Sequence, residues 1–218
     1  MNLSVLMSVY YKEKPEYLQQ ALESIWDKQT LKPDEIILVE DGKLTPELYQ
    51  IIEKWNKKIN GKLKRIPLQE NGGLAKALNT GIKHCSGEYI ARMDSDDICD
   101  PARFEKQIYF FKNNPDIDIL GSAICEFNEN SKELNTRYYP PNTSQAIKYI
   151  VKATPLAHPS VMFRRKVFEQ DNRYPENYGS NEDIAFWFEL LSKGYNMANL
   201  EDILLYYRIS DDFYNRRS

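Results

Sequence analysis

The first hundred residues alternate between short apolar runs and segments with a helical repeat. The runs are typical of buried strands, whereas the segments between them place apolar side chains three and four residues apart. This pattern predicts three helices, which begin near Pro15, near Pro46 and after a glycine turn at residues 71–73. The predicted strands are Leu3–Val9, Glu35–Glu40, Leu63–Pro67 and Tyr89–Met93. Such alternation predicts an α/β fold, with a parallel sheet and helices on both faces.

The second half of the chain has a mixed and less regular pattern. It predicts helices that begin at Pro101 and around residues 179–183, and a Tyr- and Pro-rich loop over residues 135–142. The predicted strands cover residues 117–127, 158–164, 197–200 and 204–209. No linker-like composition separates the halves, so we expect one continuous sheet.

Composition and charge exclude several classes of protein. Of the 218 residues, 42% are hydrophobic and 28% are charged, which is typical of one large globular domain. Lys and Arg number 29 and Asp and Glu 32, which gives a net charge of −3 without the concentrated basic field that binds nucleic acid. The apolar runs are far shorter than the ~20 residues that span a bilayer. The first residues resemble a strand and not a signal peptide, so we expect a cytoplasmic protein.

Cysteine and histidine are too few and too scattered for a metal centre of their own. The three cysteines, Cys85, Cys99 and Cys125, are widely spaced, and the only histidines are His84 and His158. A zinc site and a disulfide framework are therefore both disfavoured. We expect reduced, partly buried thiols.

Polar side chains that could bind a ligand directly follow three predicted strands. They are Tyr10 and Tyr11 after the first, Asp41 after the second, and an acidic run at residues 94–97 after the fourth. The carboxyl ends of parallel strands meet at one edge of a sheet, where such folds bind ligands. Asp94, Asp96 and Asp97 would repel one another unless a cation lay among them, and carboxylate oxygens suit Mg²⁺ and Mn²⁺. The alternative is a solvated turn that caps the following helix.

A second acidic pair, Glu182 and Asp183, opens a predicted helix. Acidic residues are common in the first turn of a helix because they complement its dipole. A carboxylate there is also suited to act as a general base towards a hydroxyl group. Nothing in the local sequence favours one of the two residues over the other.

These motifs, in this order, resemble the family 2 glycosyltransferases. The resemblance rests on residues 5–10, 40–42, 71–81 and 87–97, and it continues through 158–164, 181–183 and 206–208. Those enzymes invert the configuration of the transferred sugar and have the GT-A fold, and the pattern is similar to bacterial transferases that build lipopolysaccharide and other surface glycans. The resemblance implies a Rossmann-like, mainly parallel sheet flanked by helices, with a mixed acceptor-side C-terminal half. It implies a single catalytic domain over residues 1–218, in which residues 1–100 bind the nucleotide-sugar.

The resemblance also implies roles on the donor side. Asp41 matches the residue that accepts a hydrogen bond from uracil N3–H. Tyr10 or Tyr11 lies where the first loop borders the base, and we select Tyr10 because many relatives have Asn at the position of Tyr11. Lys76 borders the base, although a solvated helix lysine is the alternative reading. Asp94 begins the DxD motif, towards the ribose and the metal, and Ser95 follows it as a substrate-binding residue.

Further matches concern the diphosphate and the reaction. Asp96 matches the metal ligand, for Mn²⁺ or Mg²⁺. His158 begins the segment nearest the donor sugar, and Arg208 is placed to reach the diphosphate. Asp183 matches the catalytic base and Glu182 its companion. The implied reaction is attack by an acceptor hydroxyl on the anomeric carbon of a nucleotide-diphosphate sugar, most simply a UDP-sugar, with inversion.

The resemblance implies a growing glycan as the acceptor, which in such pathways is often lipid-linked. Peripheral association with the inner face of the cytoplasmic membrane would follow for a longer chain, although the sequence shows no membrane-binding helix. The charged segment 211–218 suggests a truncated or minimal member.

Two rival functions remain open at this stage. The first rival, a nucleotidyltransferase, usually has a glycine-rich phosphate loop after the first strand, which residues 10–14 do not provide. The second, an inactive sugar-nucleotide-binding relative, is disfavoured because Asp41, Asp94, Asp96 and Asp183 are all present.

Overall fold

The computed structural model of the chain describes residues 2–128 and 132–209, apart from the side chain of Ser180. The predicted C-terminal charged segment, residues 211–218, lies outside the described residues. The strands are β1 (Leu3–Val9), β2 (Glu35–Glu40), β3 (Leu63–Pro67), β4 (Tyr89–Met93), β5 (Ile98–Cys99), β6 (Ile119–Phe127), β7 (Glu133–Arg137), β8 (Met162–Arg164) and β9 (Met197–Arg208). The α-helices are α1 (Pro15–Ile25), α2 (Pro46–Lys58), α3 (Leu74–Ile82), α4 (Arg103–Asn113), α5 (Thr143–Tyr149), α6 (Lys166–Glu169) and α7 (Glu182–Ser192). Short 3₁₀ turns cover His158–Ser160 and Gly179–Asn181.

All nine described strands belong to one sheet. Its order is β3-β2-β1-β4-β8-β6-β9-β5. β7 also pairs with β6, along residues 124–127, beyond the part of β6 that pairs with the short β8. β1, β2, β3 and β4 are parallel, as predicted for the first half. β8 enters antiparallel between β4 and β6, whereas β9 runs parallel to β6, so the second half is mixed. The chain passes from β1 to β2 on one side and later to β4 on the other, which creates a topological switch point at the carboxyl ends of these strands.

Helices cover both faces of the sheet because alternate residues of the buried strands point to opposite sides. On one face, Val5 and Met7 of β1 pack in a cluster with the apolar stripes of α1, α2 and α4. On the other face, Leu6 packs in a cluster with α3 and α7. Each fully buried Leu, Ile or Phe contributes about 1.5–3 kcal/mol relative to exposure, so these layers fix the strand ends in place.

The elements of the second half differ from the sequence-based expectation in several places. The two short strands predicted near the end are one strand, β9, because Glu201 and Asp202 bulge outwards without ending it. The first part of the predicted loop over residues 135–142 belongs to β7. β5, α5 and α6 were not predicted, and the segment over residues 158–164 forms a 3₁₀ turn before the short β8.

The cysteine prediction is confirmed, since Cys85, Cys99 and Cys125 are all free and buried. Among the helices in the described ranges, none combines the length and the apolar character needed to cross a bilayer.

Candidate functional site

The acidic turn after β4 brings three carboxylates together. β4 is fully buried and ends at Met93, so residues 94–97 emerge at the carboxyl edge of the sheet. One carboxylate oxygen from each of Asp94, Asp96 and Asp97 lies within 4.8 Å of the other two. Asp94 and Asp96 are half-buried, and Asp97 is fully buried. This cluster of oxygen atoms is of the kind that binds Mg²⁺ or Mn²⁺.

Burial and mutual repulsion make the cluster unfavourable without a cation. Burial raises the pKa of Asp96 to about 7, and the nearby carboxylates of Asp94 and Glu13 add to the increase. Burial raises the pKa of Asp97 well above its ordinary value, and the nearby carboxylates of Asp96 and Asp94 raise it further. Oδ2 of Asp97 has no hydrogen-bond partner within the described ranges. A divalent cation would stabilise the ionised carboxylates, so the residues fit such an ion.

Arg92 supplies the one guanidinium that pairs directly with the cluster in the described structure. It lies on β4, and 2% of its side chain is exposed. Its guanidinium pairs with both carboxylate oxygens of Asp94, with Nη1 2.7 Å from Oδ2 and Nη2 2.6 Å from Oδ1. A bidentate pair of this kind is both strong and directional. Sequence analysis missed this role, because an arginine inside an apolar strand gives no sign of which face it occupies.

The Arg92–Asp94 pair leads to a stability prediction. We expect Arg92→Met to lower the free energy of unfolding by on the order of 2 kcal/mol, because Asp94 would face two carboxylates without its cation. The expected loss is smaller than for a fully buried ion pair, because the Asp94 side chain is 28% exposed and water screens part of the interaction. Urea unfolding without metal measures the change. The double variant Arg92→Met/Asp94→Asn should recover part of the lost stability. If the single and the double variant lose the same free energy of unfolding, the loss comes from packing of Arg92 and not from its charge.

Arg208 holds the acidic turn from the other side. Its backbone N–H donates to Oδ1 of Asp97 at 2.8 Å, and its Nε donates to the carbonyl oxygen of Asp96 at 2.7 Å. Its Nη2 donates to Oε1 of Gln20 at 2.6 Å, and the guanidinium lies 4.0 Å from the centre of the Tyr17 ring. These contacts give Arg208 a positioning role that the sequence did not reveal. Its contact with a diphosphate stays a prediction.

Glu13 is a further acidic residue of the site that sequence analysis missed. It lies between β1 and α1, and its Oε2 accepts a hydrogen bond from Oγ of Ser95. Burial raises the pKa of Glu13, and nearby Asp94 raises it further. A carboxylate soon after the first strand was the available signal, since that loop opens at the same edge as the acidic turn.

These side chains surround a cleft of about 350 Å³, which we call the strand-end cleft. It opens at the carboxyl ends of β1, β2 and β4, at the topological switch point. Five residues predicted from the sequence line it, namely Tyr10, Asp41, Asp94, Ser95 and Asp96. The other lining residues are Ser8, Glu13, Asn71, Gly73, Leu74 and Tyr207. Tyr207, on β9, brings the second half of the chain to the cleft.

Asp41 organises one wall of the strand-end cleft. Its Oδ1 accepts a hydrogen bond from the backbone N–H of Gly72 at 2.7 Å, and its Oδ2 accepts one from Gly73 at 3.1 Å. The approach is so close that a Cβ added to Gly42, which has φ of +81°, would lie 2.6 Å from the backbone nitrogen of Asn71. The carboxylate of Asp41 therefore orders the glycine turn, and each oxygen retains a lone pair for a further donor.

Lys76 lies outside the lining of the strand-end cleft in the described structure. Its amine is 3.9 Å from Oε1 of Glu70, and its side chain is 47% exposed. The prediction that it borders the base is neither supported nor contradicted by this position.

A second, smaller pocket of about 180 Å³ adjoins the cleft, and Tyr207 lines both. We call it the side pocket. Its apolar lining is Ile124, Leu156, Ala157 and Pro159. Its polar lining is Glu126, Arg137, Tyr139, Thr154, His158, Asp183 and Tyr207. Two predicted residues, His158 and Asp183, thus lie in this pocket and not among the residues that line the cleft.

His158 is buried and uncharged at neutral pH. Its Nε2 lies 3.0 Å from the hydroxyl oxygen of Tyr174, and its ring packs edge-on against Trp187 with centroids 5.8 Å apart. Burial lowers the pKa of His158 well below its ordinary value, and the nearby Arg92 guanidinium lowers it further. The ring therefore contributes shape and a hydrogen-bonding nitrogen to the side pocket, and not a positive charge.

Asp183 and Glu182 occupy the first turn of α7. Oδ1 of Asp183 accepts the backbone N–H of Ile184 at 2.7 Å, and burial raises the pKa of this carboxyl group. Burial also raises the pKa of Glu182, whose Oε2 has no partner within residues 2–128 and 132–209. Asp183 lines the side pocket, whereas Glu182 is not among the lining residues. The structure thus separates two residues that the local sequence left equivalent, and the catalytic role that the resemblance assigns to Asp183 stays a prediction.

Comparison with protein families gives a match over most of the chain. Residues 4–171 match the family described as Glycosyl transferase family 2. The chain is 39% identical to an amylovoran biosynthesis glycosyltransferase, AmsE, of Erwinia amylovora, over 98% of this chain and 79% of that protein. It is 36% identical to UDP-Gal:alpha-D-GlcNAc-diphosphoundecaprenol beta-1,3-galactosyltransferase of Escherichia coli, over 99% of this chain and 77% of that protein.

Solved structures have the same fold. S. aureus TarS residues 1–349 in complex with UDP-GlcNAc superposes with a TM-score of 0.77 at 24% identity, over 99% of this chain and 64% of that one. The mannosyltransferase PcManGT of Pyrobaculum calidifontis, in complex with GDP-Man and Mn²⁺, gives a TM-score of 0.74 at 17% identity, over 99% and 59% of the two chains. The predicted GT-A fold is therefore confirmed.

Proposed function

Because the chain belongs to glycosyl transferase family 2, we propose that it transfers a sugar from a UDP-sugar to a hydroxyl group of a growing surface glycan, with inversion and with help from a divalent metal ion. The observation that carries the proposal is the pairing of two adjoining cavities. One holds the carboxylate cluster and the other holds Asp183, with Tyr207 between them. A donor and an acceptor need two such sites, one on each side of the reacting carbon.

The strand-end cleft is the proposed donor site. Uracil N3–H would donate a hydrogen bond to a free lone pair of the Asp41 carboxylate, and Tyr10 would pack beside the base. Asp96, with Asp94 and Asp97 beside it, would hold Mn²⁺ or Mg²⁺, and a bound ion would neutralise charge on the departing diphosphate. The metal-bound and UDP-GlcNAc-bound structures with this fold support the assignment. Residues 1–100 supply most of the cleft and form the proposed nucleotide-sugar-binding half.

The side pocket is the proposed acceptor site, formed largely by the half of the chain over residues 101–218. Asp183 would remove the proton of the acceptor hydroxyl as that oxygen attacks the anomeric carbon from the face opposite UDP. A positioned base contributes roughly 10²–10⁴-fold to the rate. Burial raises the pKa of Asp183, which makes its carboxylate a stronger base than an exposed one. Glu182 would assist from the same helix turn.

The named acceptor of the E. coli relative, a sugar on diphosphoundecaprenol, supports a lipid-linked glycan as the acceptor class. We propose accordingly that the protein works in the cytoplasm at the inner face of the membrane.

Calorimetric titration tests the donor site, with UDP injected in the presence and absence of Mn²⁺. We expect metal-dependent binding that is at least about tenfold weaker for CDP, because cytosine N3 carries no hydrogen for the Asp41 carboxylate to accept. Release of UDP from UDP-galactose, UDP-glucose and UDP-N-acetylglucosamine then tests turnover. Tight UDP binding without release from any donor would favour an inactive binding protein, and the absence of UDP binding would contradict the donor assignment.

A further inference from the structure

The polar lining of the side pocket includes a buried ion pair. Glu126 on β6 is 1% exposed and pairs with Nε of Arg137 on β7, whose side chain is 39% exposed. β6 and β7 are antiparallel, and Arg137 lies directly across from Ile124. Ile124 precedes Glu126 by two residues, so both point to the same face of β6. Because side chains alternate along a strand, Ile124 and the ion pair share one face of these two strands. The hairpin therefore presents fixed donors and acceptors to the pocket.

Two tyrosine rings accompany this pair. Burial raises the pKa of Tyr139 to about 12, with opposing effects from nearby Arg137 and Glu126, so its hydroxyl group stays protonated. Burial also raises the pKa of Tyr207. An aromatic ring offers an apolar face with a polar edge, and a guanidinium–carboxylate pair offers paired donors and acceptors. A pyranose ring has the complementary surface, with C–H groups on its faces and hydroxyl groups around its rim.

Among the residues that the structure describes, the formal charges that line the side pocket sum to −1. Glu126 and Asp183 carry a negative charge each, and Arg137 carries the one positive charge among the lining residues. His158 is uncharged because burial lowers its pKa, and both tyrosines are neutral. Arg137 is already matched by Glu126, so a carboxylate on a bound sugar would meet Asp183 without a free counter-charge. Juxtaposed like charges of this kind oppose binding.

We propose that the side pocket binds the terminal ring of the acceptor and selects an uncharged sugar with neighbouring hydroxyl groups, which the Glu126–Arg137 pair recognises. The inference rests on the proposed function and adds the chemical class of the acceptor. Acceptors whose terminal sugar is a uronic acid are excluded because their carboxylate meets the negative charge of the pocket, and not because of their size.

Paired synthetic acceptors test the selection. Octyl glucoside and octyl galactoside are compared with octyl glucuronide and octyl galacturonide as acceptors for each UDP-sugar that the protein hydrolyses. We expect kcat/KM for the neutral member of a pair to exceed that for the acidic member by about tenfold or more. Acidic acceptors used as well as the neutral ones would overturn the inference, and so would a panel in which no neutral glycoside is used.

A variant with a balanced charge tests the residues. In Glu126→Gln/Arg137→Met, both charges are removed together, so neither is left buried and unpaired. We expect KM for the neutral acceptor to rise by about tenfold, while UDP–Mn²⁺ affinity stays unchanged because neither residue lines the strand-end cleft. Tyr139→Phe should raise this KM in the same direction, and Tyr138→Phe is its control, since Tyr138 is 64% exposed and lies outside the pocket lining. An unchanged acceptor KM in the double variant and in Tyr139→Phe would contradict the inference.

A binding measurement separates this inference from the proposed function. Saturation-transfer NMR with methyl glucoside and methyl glucuronide reports on the pocket without any turnover. Contact with the neutral glycoside that is lost in the double variant supports the inference even if the protein hydrolyses no donor. Donor hydrolysis without any selective glycoside contact would uphold the proposed function and overturn the inference.

Discussion

Asp96→Asn is expected to weaken UDP binding in the presence of Mn²⁺ by about 10–100-fold and, without metal, to stabilise the fold. The substitution keeps the size of the side chain but removes a charge that the ion needs and that Asp94 and Glu13 repel. Calorimetry with UDP and Mn²⁺ measures the first effect. Thermal unfolding in EDTA measures the second, for which a chain of this length gains about 2–4 °C per kcal/mol.

The stabilising effect should depend on pH in a defined direction. The pKa of Asp96 rises from 3.8 to about 7 on folding, so the folded state holds this proton more tightly than the unfolded state. Stability is therefore lost as pH rises from about 4 to about 7 and stays low above that range. We expect Asp96→Asn to raise Tm clearly at about pH 8 and much less at about pH 5.

A surface variant provides the control for Asp96→Asn. Asp116 is exposed, and Asp116→Asn removes the same charge far from the acidic turn, so it should change neither UDP binding nor Tm appreciably. Unchanged UDP–Mn²⁺ affinity in Asp96→Asn would move the ligand role to Asp94 or Asp97. A fall in Tm at about pH 8 would show that the burial and repulsion of the Asp96 charge do not govern its effect on stability.

The first half of the fold could be predicted from the sequence almost residue by residue. β1, β2 and β4 are buried on both faces, so each appears as a bounded apolar run, and the helices between them each bury one regular stripe. Local pattern and tertiary environment agree there, which is why strand ends, and with them Asp41 and the acidic turn, could be placed.

The second half resisted prediction because its local patterns and its packing diverge. α5 is capped by Asn142, whose Oδ1 accepts the N–H of Gln145, but Ala146 is its only buried residue and Ile147 is 53% exposed. No apolar stripe marks such a helix. The exposed Glu201 and Asp202 looked like a turn between two strands, whereas pairing with β6 carries β9 through them.

Within the site, sequence could identify the carboxylates but not the groups that hold them. Arg92 and Arg208 reach the acidic turn from β4 and from β9, and Glu13 reaches it from the loop after β1. The contacts of Arg208 and Glu13 join residues that are distant in sequence and that only the completed sheet brings together, whereas the contact of Arg92 with Asp94 depends on which way each side chain points. The resemblance to a family assigned Arg208 to a ligand, and the structure adds its bonds to the turn.

The proposed function assigns different tasks to the carboxylates of the two adjoining cavities. Asp94, Asp96 and Asp97 are crowded and at least half-buried, which suits the binding of a cation. Asp183 lies apart from them in the side pocket. If that division is right, donor binding and proton removal should be separable by mutation.

Asp183→Asn is therefore expected to lower transfer by about 10²–10⁴-fold while leaving UDP–Mn²⁺ affinity within about twofold of the parent. Asparagine keeps an oxygen for the N–H of Ile184, so the first turn of α7 should stay intact. In the parent, transfer should fall as pH is lowered through the raised pKa of Asp183, because protonation removes the base. UDP release with an acceptor measures the rate, and calorimetry measures the affinity.

The control variant is Glu189→Gln, on the exposed side of the same helix, which should leave both the transfer rate and the UDP affinity unchanged. A loss confined to Glu182→Gln would move the base to Glu182, and a large loss of UDP affinity in Asp183→Asn would place Asp183 in the donor site.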